Sequence, residues 1–165
     1  MGIAERWKRF APLPSDMENR LERLGPLFAE EGVLLAYLFG SLGQGKQGAD
    51  VDLAFLVQDT PRTARMGTSV PSSGAAFRLR EPVCELLGTE RLDLVDLRDA
   101  PPVLRFEILR TGRALYVADP EVQELFEMET IHLYRDTHYL RRQQREHLKE
   151  AFALWSSVQK RSMSG

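Results

Sequence analysis

Residues 33–57 read VLLAYLFGSLGQGKQGADVDLAFLV, and this stretch decides the fold. Val33 to Phe39 is a short continuous apolar run ending in glycine, which predicts a strand buried on both faces and therefore covered from two sides. Gly40 to Gly48 holds four glycines in nine positions, a composition that predicts a loop too flexible for regular structure. Asp50 to Val57 then resumes a strand pattern, so two strands are expected to be joined by a glycine loop.

Working outward, Met17, Leu21, Leu24 and Phe28 recur at helical spacing between Ser15-Asp16 and Gly32, which predicts one helix over 15–31 despite Gly25-Pro26. Residues 58–74 have the composition of an exposed, weakly ordered connection. Phe77, Leu79, Val83, Leu86 and Leu87 predict a helix over 75–87, bent or restarted at Pro82 and closed by Gly88. Leu92 to Leu97 reads as a third strand. Pro101-Pro102 opens a helix that runs to Gly112, and 114–117 is a short fourth strand. From Asp119-Pro120 to about residue 160 nearly every residue is helix-compatible, with one break expected between 135 and 147. The fold class is α/β: a small mixed sheet with flanking helices and a helical C-terminus. The expected organisation is an N-terminal extension over 1–14, a principal domain over 15–118, and a C-terminal helical segment over 119–165 packed on that domain.

Composition removes several classes of function. The chain has 165 residues, 43% apolar and 28% charged, as in a single soluble domain. Its longest apolar run is far short of a membrane span. With 22 Lys plus Arg against 24 Asp plus Glu, no global field would hold it to nucleic acid or anionic lipid. The lone Cys84 is expected to be a buried apolar thiol on a helix, compatible with a reducing cytoplasmic setting, and the residues near Met1 carry no targeting pattern.

The chemistry lies in the acids. Asp50 and Asp52 are two apart on a strand, so both carboxylates leave the same face, about 6.6 Å apart along the chain. Like charges held together repel, and a divalent cation between them removes that cost, so the pair beside a glycine loop suggests Mg²⁺. Taken alone, two aspartates at a strand start are an ordinary solvated strand end. Gly40-Ser41 adds a second feature: glycine lets backbone approach a phosphate closely, and the following amide and hydroxyl can donate to its oxygens. There is no G-x-x-x-x-G-K-[ST] motif, which excludes a P-loop, and Lys46 in the loop reads as a solvated charge. Asp93 and Asp96 have an odd separation and point to opposite faces, so only one can join the first pair. The one facing inward needs a metal or a donor, and the pattern alone does not choose between them. His132, His138 and His147 lack zinc-ligand spacing, and Trp155 and Phe152 read as packing residues. Arg141, Arg142, Arg145 and Lys149 set a basic patch on the last helix, facing water or an acidic partner.

The stretch LFGSLGQGKQGADVDLAFLV at 38–57, followed by RLDLVDLRDAPPVLRFEILRTGRALY at 91–116, resembles the minimal nucleotidyltransferases of the DNA polymerase beta superfamily. Within these it resembles the MntA-type antitoxins that accompany HepT toxins of the HEPN class. The resemblance covers roughly residues 15–140. It implies a nucleotidyltransferase fold in which Gly40 and Ser41 hold the triphosphate of ATP, Asp50 and Asp52 bridge two Mg²⁺ ions, and Asp93, rather than Asp96, completes one metal site and the catalytic trio. It further implies transfer of AMP from ATP to a protein acceptor, a tyrosine of a HepT-type partner, and hence an antitoxin. Leu42 to Ala49 is a shorter link between serine and first aspartate than the family usually has. The alternatives are a small-molecule, antibiotic-type nucleotidyltransferase, an antitoxin that binds without turnover, and a nucleotide sensor. With no basic domain and no interleaving of basic and aromatic residues, nucleic acid is not the expected acceptor.

Overall fold

The computed structural model of the chain describes residues 7, 9–58, 73–137 and 142. Helix α1 (Met17–Glu22) and helix α2 (Leu24–Glu30) lead into strand β1 (Val33–Phe39), a four-residue helical turn α3 (Gly40–Gly43) and strand β2 (Val51–Val57). Helix α4 (Ser73–Leu87), strand β3 (Leu92–Asp96), helix α5 (Pro102–Thr111) and strand β4 (Arg113–Val117) follow. Residues 120–137 form a further helix, α6.

The four strands lie in the order β3-β2-β1-β4. β1 is antiparallel to both β2 and β4, whereas β2 and β3 run parallel. The sheet is therefore mixed, as expected, and β1 is interior and covered on both faces. On one face Ala36, Leu38, Leu53, Phe55 and Leu92 pack with Leu21, Leu24 and Phe28 of the first two helices and Leu79, Val83 and Leu87 of α4. On the other, Leu35, Tyr37 and Ala54 pack with Ile108 of α5 and Phe126 of α6. A register shift between Val33 and Leu35 puts Leu34 and Leu35 on the same side, the signature of a bulge. Fully burying side chains such as Phe28, Phe55, Leu35 and Leu38 stabilises the fold by about 1.5–3 kcal/mol each.

Three local expectations are corrected. The single helix over 15–31 is two helices that meet at Arg23. The break sets Pro26 in the first turn of the second helix, where a missing N–H leaves no intrahelical bond unmade. Helix α4 runs through Pro82 without restarting, because the stripe Ala75, Leu79, Val83 and Leu87 is buried along its whole length. Phe77, expected on that stripe, is instead 82% exposed. Third, the glycine-rich link begins with the helical turn α3, closed by the Gln44 amide donating to the Gly40 carbonyl at 3.3 Å.

Gly88 closes α4 with φ +67° as expected. Cys84 is half-buried on α4 against the core, and burial pushes its thiol up, away from the reactive thiolate form. The connection at 59–72, the break after 137, His138, His147, Phe152, Trp155, Arg141, Arg145 and Lys149 lie outside the described residues. His132 and Arg142 are exposed.

Candidate active site

Alternation along β2 sends Val51, Leu53, Phe55 and Val57 to the α1–α2–α4 face and Ala54 and Leu56 to the other. Asp52 is in phase with Ala54, and Asp50, one residue ahead of the strand, continues the same phase. Parallel pairing then sets Asp52 beside Asp93 on β3, and antiparallel pairing sets Asp52 beside Phe39, the last residue of β1. The carboxyl end of β1 and the amino ends of β2 and β3 thus meet at one edge of the sheet. One carboxylate oxygen from each of Asp50, Asp52 and Asp93 lies within 4.8 Å of the others. All three residues are partly buried. Among the described residues this is the one group of three acids, histidines or cysteines so arranged.

Asp96 takes the opposite face and joins no such group. It is 7% exposed, and its need for a donor is met by Arg98: the guanidinium donates from Nη2 to Oδ2 at 2.9 Å and from Nε to Oδ1 at 3.2 Å. The Arg98 backbone amide donates to Oδ1 at 2.9 Å. Arg105 holds this corner in turn, donating to the carbonyls of Arg98 at 2.6 Å and Ala100 at 3.0 Å. Of the two acids left open by the strand pattern, the structure brings Asp93 to the first pair and uses Asp96 as an internal ion pair.

Gly40 opens α3 at φ +64°, a conformation disfavoured for side-chain-bearing residues. A Cβ there would stand 2.1 Å from Asp52 Oδ2. Glycine is therefore required twice, once by the backbone and once because the Asp52 carboxylate lies against its Cα. The short link between Ser41 and Asp50 does not draw the turn away from the acids. Ser41 is exposed beside Gly40, and its carbonyl accepts from the Lys46 amide at 2.9 Å, folding the link back on itself. Lys46 is exposed and donates to Gln44 at 2.8 Å. Gly40, Ser41, Asp50, Asp52 and Asp93 thus share one edge.

The residues fit a hard divalent cation on donor chemistry. Carboxylate oxygens are the ligands Mg²⁺ takes, and two oxygens across one Mg²⁺ stand about 4.2 Å apart, comparable with the spread of the trio. A groove of about 890 Å³ lined by Phe10, Phe77, Arg80, Cys84 and Thr89 lies between the N-terminal segment and α4, and none of the five site residues lines it.

One contact at the site was not legible beforehand. The buried indole of Trp7 donates from Nε1 to Asp50 Oδ2 at 2.6 Å. The only sequence signal is a lone aromatic within the charged run Glu5-Arg6-Trp7-Lys8-Arg9.

A three-carboxylate edge beside a Gly-Ser turn on a mixed sheet has the donor chemistry to fit a divalent cation and phosphate oxygens, and comparison with known proteins identifies the family. The family described as polymerase beta, nucleotidyltransferase, matches residues 22–121, which include all four strands and all five site residues. The chain belongs to this nucleotidyltransferase family. It is similar to protein adenylyltransferase MntA of Shewanella oneidensis, with 34% identity over 103 residues. That match covers 61% of this chain and 66% of the relative, just under two thirds of its length. A solved structure of tri-AMPylated Shewanella oneidensis HEPN toxin in complex with MNT antitoxin aligns with a TM-score of 0.59 at 25% identity, covering 80% of this chain and 98% of that one. A crystal structure of the toxin–antitoxin with AMP-PNP aligns with a TM-score of 0.60 at 28% identity, covering 79% and 98%.

Proposed function

We propose that the chain transfers AMP from ATP to a hydroxyl of a HEPN-type toxin and thereby acts as its antitoxin. The observation that carries the reading is the convergence of Asp50, Asp52 and Asp93 beside the Gly40-Ser41 turn. The similar proteins named above support the choice of nucleotide and acceptor.

In this reading Asp50, Asp52 and Asp93 would hold two Mg²⁺ ions, Asp93 serving one of them. When bound, the ions polarise the attacking hydroxyl and neutralise charge on the departing pyrophosphate. Gly40 and Ser41 receive the triphosphate: glycine admits close approach of the backbone, and the Ser41 amide and hydroxyl donate to phosphate oxygens. The acceptor oxygen forms a bond to the α-phosphorus, the bond from that phosphorus to the bridging oxygen breaks, pyrophosphate leaves, and the hydroxyl proton passes to solvent. Asp93, serving one ion only, acts on turnover more than on nucleotide binding.

The test is to incubate the chain with α-labelled ATP, Mg²⁺ and the product of the neighbouring reading frame. Label on that partner is the expected result. An intact complex without label would establish a binding-only antitoxin, and label on an added aminoglycoside but not on protein would establish a small-molecule transferase.

A further inference from the structure

The N-terminal segment is tied to the candidate site by two side chains far apart in sequence. Trp7, 3% exposed, donates its indole N–H to Asp50 Oδ2 at 2.6 Å, and its ring lies 5.7 Å from that of Phe10. Arg91, one residue ahead of β3, donates to the Phe10 carbonyl at 2.5 Å and to the Ala49 carbonyl at 3.0 Å. The Arg91 carbonyl accepts from the Val51 amide at 2.8 Å. Arg91 therefore fastens the segment to both residues that flank Asp50, and the segment returns an N–H to the Asp50 carboxylate.

We infer that Trp7 is a positioning residue: its indole N–H fixes the Asp50 carboxylate so that its remaining lone pairs face Asp52 and Asp93. This rests on the proposed role of Asp50 as a metal ligand. A carboxylate at a strand end rotates about two side-chain bonds, and a directed hydrogen bond to one oxygen removes that freedom before the cation arrives. The indole suits the task because it donates and cannot accept, so it adds no competing ligand. Hydrogen-bonding partners of a metal ligand typically contribute about 10–100-fold to metal affinity or activity.

The test uses the full chain with Trp155→Phe, which leaves Trp7 as the only indole. The ¹H–¹⁵N resonance of its Nε1–H is expected downfield of a free indole, to move upfield in Asp50→Asn, and to shift on addition of Mg²⁺. A resonance indifferent to both changes overturns the inference. In a second arm, Mn²⁺ affinity is read from the electron-paramagnetic signal of the free ion. Trp7→Phe keeps an aromatic ring and removes the donor; its Mn²⁺ affinity is expected to fall about tenfold, with thermal unfolding recorded alongside. Asp52→Asn is the reference. Loss of Mn²⁺ binding in Asp52→Asn but parental binding in Trp7→Phe overturns the role of Trp7 alone. Parental binding in Asp52→Asn overturns the metal reading and the inference with it. Should Trp7→Phe fail to fold, the resonance arm, which leaves Trp7 in place, decides.

Discussion

Strand β3 carries one aspartate near each end, three residues apart, and the fold treats them oppositely. Asp96 turns to the buried side and is neutralised by the Arg98 guanidinium and its backbone amide. Asp93 turns to the side where β2 already presents Asp52 and Asp50, and three carboxylates converge. The first arrangement is self-sufficient within the chain. In the second, like charges are gathered within a few ångströms at a partly buried edge, an arrangement that a bound cation stabilises. An acid held by its own arginine serves the fold, whereas in the proposed reading the acids gathered on one another serve a ligand.

The sharpest way to break this contrast is to neutralise one acid of the cluster. Asp93→Asn is expected to lower AMP transfer by about a thousandfold, because a catalytic metal supplies several kcal/mol and each ~1.4 kcal/mol is a factor of ten. Mg-ATP affinity, measured by calorimetry, is expected to survive within a few-fold. Equal loss of binding and transfer would remove the asymmetry assigned to Asp93. Gly40→Ala tests the same edge from the backbone side. The methyl would displace the Asp52 carboxylate, and misplacing a reacting group by about 1 Å costs on the order of a hundredfold in rate. A Gly40→Ala protein with parental transfer would show that the turn and the trio do not act together.

Arg98→Ala addresses the other end of β3. It leaves the Asp96 side chain, 4% exposed, without its guanidinium, while Arg98 itself is 31% exposed. Stranding a buried charge costs about 3–5 kcal/mol, and the partial exposure of the arginine reduces the expected loss of stability in urea unfolding to about 2 kcal/mol. Mn²⁺ affinity is expected to stay at the parental value, and a loss of affinity equal to that of Asp52→Asn would erase the distinction.

The smallest effect is a change with pH on the face that the trio shares. Tyr37 is buried among Gln123 and Glu127 of α6, donating to Glu127 Oε1 at 3.3 Å, and burial pushes its phenol up to about 12 from 10.0. A group that holds its proton more tightly when folded contributes stability below its unfolded value and loses it as pH rises through the folded one. Stability is therefore expected to decline between about pH 10 and 12, and Tyr37→Phe should flatten that part of the profile. An unchanged profile would remove Tyr37 as its source.

The sequence is legible where a property depends on neighbouring residues. Period-two alternation places Asp50 and Asp52 on one face, and a glycine-bounded apolar run identifies β1. Whether Asp93 or Asp96 meets them depends on how β3 registers against β2, a relation between distant segments that strand spacing cannot supply. Only the family resemblance favoured Asp93. The helical turn at Gly40 was hidden because glycine-rich composition signals freedom, while the turn is closed by backbone hydrogen bonds from the Gln44 amide to Gly40 and from the Lys46 amide to Ser41. The Trp7–Asp50 hydrogen bond spans 43 residues, and nothing local to either residue announces it. The break at Arg23, by contrast, had a local signal in Pro26, which sits most easily in a helix's first turn, but Pro82 inside α4 shows that a proline alone does not decide where a helix breaks.

The most direct test of the acidic edge as a cation site is a crystal grown with Mn²⁺ and AMP-PNP, with data collected at the manganese edge. Two anomalous peaks among the carboxylates of Asp50, Asp52 and Asp93, with the triphosphate against Gly40 and Ser41, are the expected result. Peaks elsewhere on the chain, or nucleotide bound with the three carboxylates turned apart, would contradict it.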